Sequence, residues 1–239
     1  MARPEATVRD GALRWRREAT RWLSSGWRGG YSESPAAYNL TVPEEWSERD
    51  LDGYVRERRG RAGFEAPGPT LLTGVDVNHA RGARCGPVTA LATAGVSNPA
   101  ELPIGTDADG SGPESGGEKR AARLSGTVNL LVHTSRALTD GALASLLALV
   151  AEAKAATLLA TVGVPGTTSD AAVVGCGRAG PPAAFAGSAT EVGACGRACV
   201  REAIRAGLAA RYPDGEWPRG VADAEHGVRT DRRAEVFEP

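Results

Sequence analysis

Two charged residues interrupt an otherwise uncharged stretch, ALASLLALVAEAKAATLLA at 142–160: Glu152 and Lys154. At about 100° per residue, Leu143, Leu146, Leu147 and Val150 form one apolar stripe with Lys154 at its centre. Glu152 falls on the opposite side, among Gly141, Ser145, Ala148 and Ala156. A carboxylate in a pocket can move protons, and an ammonium can steady a developing negative charge. Two residues apart on a helix, the pair projects ~160–200° apart, so a regular helix cannot aim both into one pocket. The small-residue face leaves room for a ligand, so Glu152 is expected in the pocket. Lys154 is expected to pair with a buried carboxylate, Asp170. In the competing arrangement Lys154 snorkels off the stripe and Glu152 faces water.

Other polar groups sit where apolar runs begin or end. Asn98 and Asn129 follow bare backbone at Gly95 and Gly126, and amides so placed suit a carbonyl or an oxyanion. Asn98 also suits a turn. Thr167, Thr168, Ser169 and Asp170 gather hydroxyls and a carboxylate at a strand start.

Several chemistries are disfavoured. There is no GxSxG and no GxxxxGK[ST]. Gly175 to Gly180 spells GxGxxG, but a dinucleotide site needs a helix to begin there. Pro181 and Pro182 follow instead, and the nearest helix cap is Thr190, so no nucleotide site is expected. His79, His133 and His226 are scattered, no CxxC pair occurs, and Cys195 and Cys199 share a face with Val192 and Ala203. Core packing is expected there and no metal site is assigned.

The elements that position these groups follow from the same pattern. In 239 residues, 28 Lys+Arg balance 29 Asp+Glu for a net charge of −1, which argues against nucleic acid or an anionic membrane as partner. Basic and aromatic residues interleave over 9–28, but Asp10 and Glu18 dilute them, and a solvated helix or strand with packed Trp is expected. Residues 48–61 suggest a solvated turn or helix. Short apolar runs at Thr70–Val77, Val88–Gly95, Gly126–Thr134 and Asp170–Gly175 predict strands. Thr139 and Asp140 offer N-caps to a helix reaching about Thr161, and Thr190 caps a last helix ending near Pro213. Residues 103–123, rich in Gly, Ser and Asp, predict a mobile loop over the cleft. The fold class is therefore α/β (or α+β): a single domain over 1–211 with a mixed β-sheet packed by helices. Residues 212–239 form a disordered or extended, flexible tail. With no h-region at the N-terminus and no apolar run long enough to span a bilayer, a cytoplasmic protein is expected.

Taken in order, these segments resemble the adenosylcobinamide amidohydrolase family. The resemblance is carried by Thr93-Ala-Gly-Val-Ser-Asn98, Gly126-Thr-Val-Asn129, Glu152-Ala-Lys154, Gly166-Thr-Thr-Ser-Asp170 and Phe185-Ala-Gly-Ser-Ala-Thr190. Upstream, Leu23-Ser-Ser-Gly-Trp-Arg-Gly-Gly30 and Tyr38-Asn39 look like the family's serine-glycine start and the asparagine that follows. The resemblance implies hydrolysis of the amide joining aminopropanol to the corrin ring of adenosylcobinamide. The product would be adenosylcobyric acid for coenzyme B12 salvage. Arg28, Ala151, Thr168, Ser169 and Ala189 stand where the family pattern has Asn, Thr, Gly, Thr and His. A non-catalytic corrinoid-binding protein is therefore the alternative.

On the enzymatic reading Glu152, Asp170, Lys154 and Asn129 are the catalytic candidates. Water is the expected nucleophile, activated by Glu152 or Asp170, with Lys154 steadying charge and Asn98 and Asn129 as oxyanion donors. Attack by Thr168 or Ser169 is the competing route. Asn98, Ser97, Thr127, Thr168, Ser169 and Asn39 are the substrate-binding candidates. The partner is a small-molecule corrinoid that brings its own cobalt, so no cofactor is expected, and a homo-oligomer is compatible with the sequence.

Overall fold

A computed structural model describes residues 5–43, 50–104 and 126–239. The first strands are β1 (Glu5–Arg9), β2 (Ala12–Ser24) and β3 (Gly30–Thr41), followed by helix α1 (Leu51–Arg61). β4 (Thr70–Thr73), β5 (Arg81–Cys85), β6 (Val88–Ala94) and the two-residue β7 (Ala100–Glu101) come next. β8 (Val128–Thr134), β9 (Ala137–Leu138) and the long α2 (Asp140–Val162) follow. β10 (Ala171–Gly177), β11 (Pro182–Ala183), α3 (Glu191–Arg211) and β12 (Val228–Arg229) complete the order.

The eight-stranded mixed sheet runs β4-β3-β2-β10-β8-β6-β5, with β1 added to the first half of β2. β8 and β10 are parallel, with α2 as the crossover between them, whereas β2–β10 and β6–β8 are antiparallel. Strand alternation sends Val128, Leu130 and Val132 to one face, where α2 and α3 lay Leu143, Leu146, Val150, Val200 and Ile204 against them. By composition α2 is long and apolar enough to cross a membrane, but its leucine stripe is spent on this core. The caps are those expected: Thr139 accepts from the Ala142 amide and Thr190 from the Gly193 amide, and Gly163 ends α2 in the left-handed region.

The arginine-rich N-terminal stretch becomes strand rather than helix. β2 breaks register between Arg16 and Thr20, and Ala19 there takes φ +49°. That irregularity resets the alternation, so Trp15 and Trp22, seven apart, both face one interior. The β1–β4 leaf curls over the second face of the sheet, where Trp15, Trp22 and Leu71 pack with Leu131 and Val173. α1 covers the outside of the leaf over Tyr38, Leu40 and Phe64. The order of layers is thus helices, sheet, leaf, helix.

Two expectations are refined, and a third falls largely on residues outside those described. The strand expected over Thr70–Val77 stops at Thr73, because Asp76 caps a short 3-10 turn at Val77–His79. The loop expected at 103–123 lies, from residue 105, outside the described residues. The C-terminal segment is extended and returns across the molecule: Val228 pairs with Ala100, and Val221 donates its amide to Glu101. The GxGxxG glycines serve packing, since a Cβ on Gly175 would lie 2.4 Å from the Trp22 ring.

His133 is sealed between Trp15 and Trp22, 3% exposed, with Nε2 3.4 Å from Thr20 Oγ1. Burial, helped by the Arg17 charge, lowers its pKa to about 3. Below the unfolded value of ~6.5 the unfolded chain takes up a proton that the folded chain refuses until about pH 3. Stability contributed by neutral His133 is therefore whole above that unfolded value, and falls by about 1.4 kcal/mol per pH unit between the two values. Urea titrations from pH 7 to pH 4 should show that slope in the wild type and a shallower one in His133→Phe; equal slopes would contradict it.

Candidate functional site

At one end of the sheet four strand termini meet. β2 ends at Ser24, antiparallel to β10, so Ser25 sits beside Ala172: its Oγ accepts from the Ala172 amide at 3.0 Å. β8 and β10 begin side by side, with Asn129 opposite Ala171, and β6 ends opposite β8 with Thr93 across from Asn129. Three loops, at 95–100, 126–127 and 166–170, close this end. The first and third run antiparallel, joined by Thr168 N donating to Asn98 O at 3.2 Å and Ala100 N to Gly166 O at 2.9 Å.

The centre of the cluster is Asp170. Its Oδ1 accepts from Val128 N at 2.8 Å and Thr167 Oγ1 at 2.5 Å; its Oδ2 accepts from Thr167 N at 3.0 Å and from Lys154 Nζ. The expected Lys154–Asp170 pair is thus present and mostly buried, the side chains 17% and 8% exposed. Gly166 makes room for it, since a Cβ there would lie 2.7 Å from Asp170 Oδ2 and 2.8 Å from Lys154 Nζ. A carboxylate has about four lone-pair sites, and Asp170 uses four. Its acceptor sites are therefore filled by protein donors.

Around this pair the candidates divide by exposure. Asn39 and Asn129 are buried: Asn129 Nδ2 donates to Asn39 Oδ1 and Leu72 O at 2.9 Å each, while its Oδ1 accepts from Ala171 N at 3.2 Å. Asn39 Nδ2 in turn donates to Thr93 Oγ1 at 2.9 Å. This network stitches the leaf to the sheet and faces away from solvent. Asn98 is buried and donates to Thr168 Oγ1. Thr127 is buried with its Oγ1 3.0 Å from Ser169 Oγ, whereas Ser97, Thr168 and Ser169 are half-buried and Ser25 is exposed. The solvent-facing groups of the cluster are therefore hydroxyls.

Glu152 is not among them. The expectation that Glu152 lies in the pocket is corrected: Gly141, Ser145, Ala148 and Ala156 are exposed, and Glu152, 60% exposed, pairs with Arg197 of α3. The sheet covers only the leucine side of α2, so its opposite side meets solvent and a groove against α3. That groove, about 790 Å³, is lined by Ala153, Ala156, Thr157, Arg197 and Arg201. Thr157 there donates to its own helix at Ala153 O.

A second cavity, about 730 Å³, opens between the β2–β3 turn and α1. Ser24, Trp27, Tyr31, Arg56 and Arg59 line it, with the Trp27 and Tyr31 side chains each 46% exposed. It shares Ser24, the last residue of β2, with the sheet end. Sequence reasoning did not select Ser24, Ser25 or the aromatic pair as site residues; the signal for Ser24, Ser25 and Trp27 lay in the Leu23–Gly30 segment of the family resemblance, and Tyr31 follows it directly.

Residues 3–216 match the family model described as adenosylcobinamide amidohydrolase. The chain is 53% identical over 238 residues to the adenosylcobinamide amidohydrolase of Halobacterium salinarum, covering 98% of this chain and 99% of that one. It is 29% identical over 199 residues to the protein of the same name from Methanosarcina mazei, covering 79% and 90%. Among solved structures it is similar to a Burkholderia sp. beta-aminopeptidase at 12% identity and a TM-score of 0.42, covering 88% of this chain and 82% of that one.

Removing one partner of a buried ion pair strands the other charge. Lys154→Met should cost ~3–5 kcal/mol in urea unfolding. Lys154→Met with Asp170→Asn should recover part of that loss. An unchanged midpoint in the single variant would show the pair to be solvated.

Proposed function

The chain belongs to the adenosylcobinamide amidohydrolase family, and we propose that its reaction is carried by the hydroxyl groups at the sheet end. It is a hydrolase of the amide bond between aminopropanol and the corrin ring of adenosylcobinamide, giving adenosylcobyric acid; the binding-only alternative is not favoured. A cytoplasmic place in corrinoid salvage fits that product, which can re-enter coenzyme B12 synthesis.

The observation that carries the hydroxyl route is the Thr127–Ser169 pair, 3.0 Å apart beside a carboxylate whose acceptor sites are already filled. Activation of water by Glu152 or Asp170 loses its support. Glu152 faces out against Arg197, and Asp170 has four donors on its four acceptor sites. Thr168 stands where the resemblance implies glycine, whereas position 169 keeps a hydroxyl. Ser169 Oγ is therefore the nucleophile. It attacks the amide carbon, and its proton passes through the Thr127 hydroxyl to the departing aminopropanol nitrogen. The C–N bond breaks to leave an ester on Ser169, and water then releases the corrinoid acid. Lys154 and Asp170 hold the 166–170 turn so that Ser169 keeps its distance from Thr127.

The corrin ring needs a broad apolar surface. Trp27 and Tyr31 at the mouth of the β2–β3 cavity present half-exposed rings for stacking.

Incubation of the purified protein with adenosylcobinamide should yield adenosylcobyric acid by chromatography at many turnovers. Ser169→Ala should lower kcat at least ~10³-fold with unchanged unfolding, Ser169→Thr should keep measurable turnover, and Glu152→Gln should be close to wild type. Full activity in Ser169→Ala would sink the hydroxyl route. Trp27→Ala should raise KM by ~10-fold or more with kcat little changed, and an unaltered KM would place the corrin elsewhere.

A further inference from the structure

At the far edge of the sheet, Cys85 ends β5 and Cys195 lies in the second turn of α3. Their sulfurs are 3.1 Å apart, in hydrogen-bond contact. Both thiols are free and half-buried, within reach of a small reagent. The other two cysteines are buried, and each is turned to a backbone carbonyl: Cys199 toward Val88 O and Cys176 toward Leu138 O. β5 pairs only with β6 among the described strands, so its other side is an open sheet edge. α3 packs against it through this cysteine contact, more than a hundred residues along the chain.

We propose that Cys85 and Cys195 are a site of reversible disulfide formation that locks the edge strand β5 to α3, with a small-molecule disulfide as oxidant. The Cys85 thiolate attacks one sulfur of the reagent RSSR, and the other leaves as RS⁻ and takes up a proton. This gives a mixed disulfide on Cys85. Cys195 then loses its proton and attacks Cys85 Sγ, expelling the second RS⁻. Two thiols are oxidised to one disulfide while RSSR is reduced to two RSH, so electrons and protons balance. The order of attack follows from the contact itself. The hydrogen bond with Cys85, then burial, holds the Cys195 thiol up at about 11. Once Cys85 is capped, that hydrogen bond is gone and Cys195 ionises more readily.

The test is made on the folded chain with oxidised glutathione as RSSR. Thiols titrated after denaturation should fall from four to two. The intact mass should drop by two hydrogens, and peptide mapping should find Cys85 joined to Cys195. The oxidised protein should melt higher by roughly 5–15 °C, reversed by reductant, because the bridge closes a long loop. Cys195→Ser should stop at one glutathione on Cys85, and Cys85→Ala should keep all its thiols. Retention of four thiols, or a bridge between Cys195 and Cys199 or between two chains, would overturn the site. A bridge that leaves the melting temperature unmoved would overturn the lock.

Discussion

The Asp170 carboxylate accepts hydrogen bonds from β8, from its own turn and from α2, through Val128 N, Thr167 and Lys154. Strand pairing and the leucine stripe already bring these segments together, and the carboxylate fixes how they sit. β8 and β10 are held in register by their ladder, but α2, the crossover between them, rests on the sheet through apolar contacts that would tolerate sliding. Directional, charge-assisted bonds to one carboxylate remove that freedom. The arrangement has a chemical consequence, because protein donors occupy all four acceptor sites of Asp170.

A neutral network does the equivalent work on the other face of the sheet. Asn129 holds Asn39 of the leaf and the Leu72 carbonyl, while Asn39 holds Thr93. A one-residue slip of β3 would strand two buried amides, each at ~1–3 kcal/mol. The apolar contacts between Leu71, Leu131 and Val173 would tolerate small shifts; the amides do not. Through them the leaf, with Ser24, Ser25 and Trp27, keeps one position relative to Ser169.

What was legible in the sequence was periodic or capped. The leucine stripe placed Lys154 toward the sheet, and Asp170 at the next strand start was the natural partner. Thr139 and Thr190 marked both long helices. The same wheel misled at Glu152, because alanine and glycine fit a solvated face as readily as a covered one, and only α3's Arg197 revealed which this was. The hairpin of β2 and β3 was hidden for a different reason. Its irregularity at Arg16–Thr20 shifts the alternation midway, so no single period runs through it. Asn39 and Asn129 lie ninety residues apart, and no local pattern foretells such a meeting.

The pairing of β2 with β10 also sets an order of events during synthesis. Residues 20–24 wait for 173–177 before that half of β2 has a neighbour on its β10 side. The leaf of β1 to β4 with α1 can organise early, since its contacts span short stretches of chain. Trp22, however, has Leu131 and Val173 for its burial, and both emerge much later. A nascent chain halted before β10 would hold an arginine-rich hairpin with one tryptophan-bearing face bare. That is a surface suited to chaperone capture or to pairing with another unfinished copy. The Thr127–Ser169 contact shares that timing, because Ser169 leads directly into β10, the last strand of the sheet, which slots between β2 and β8.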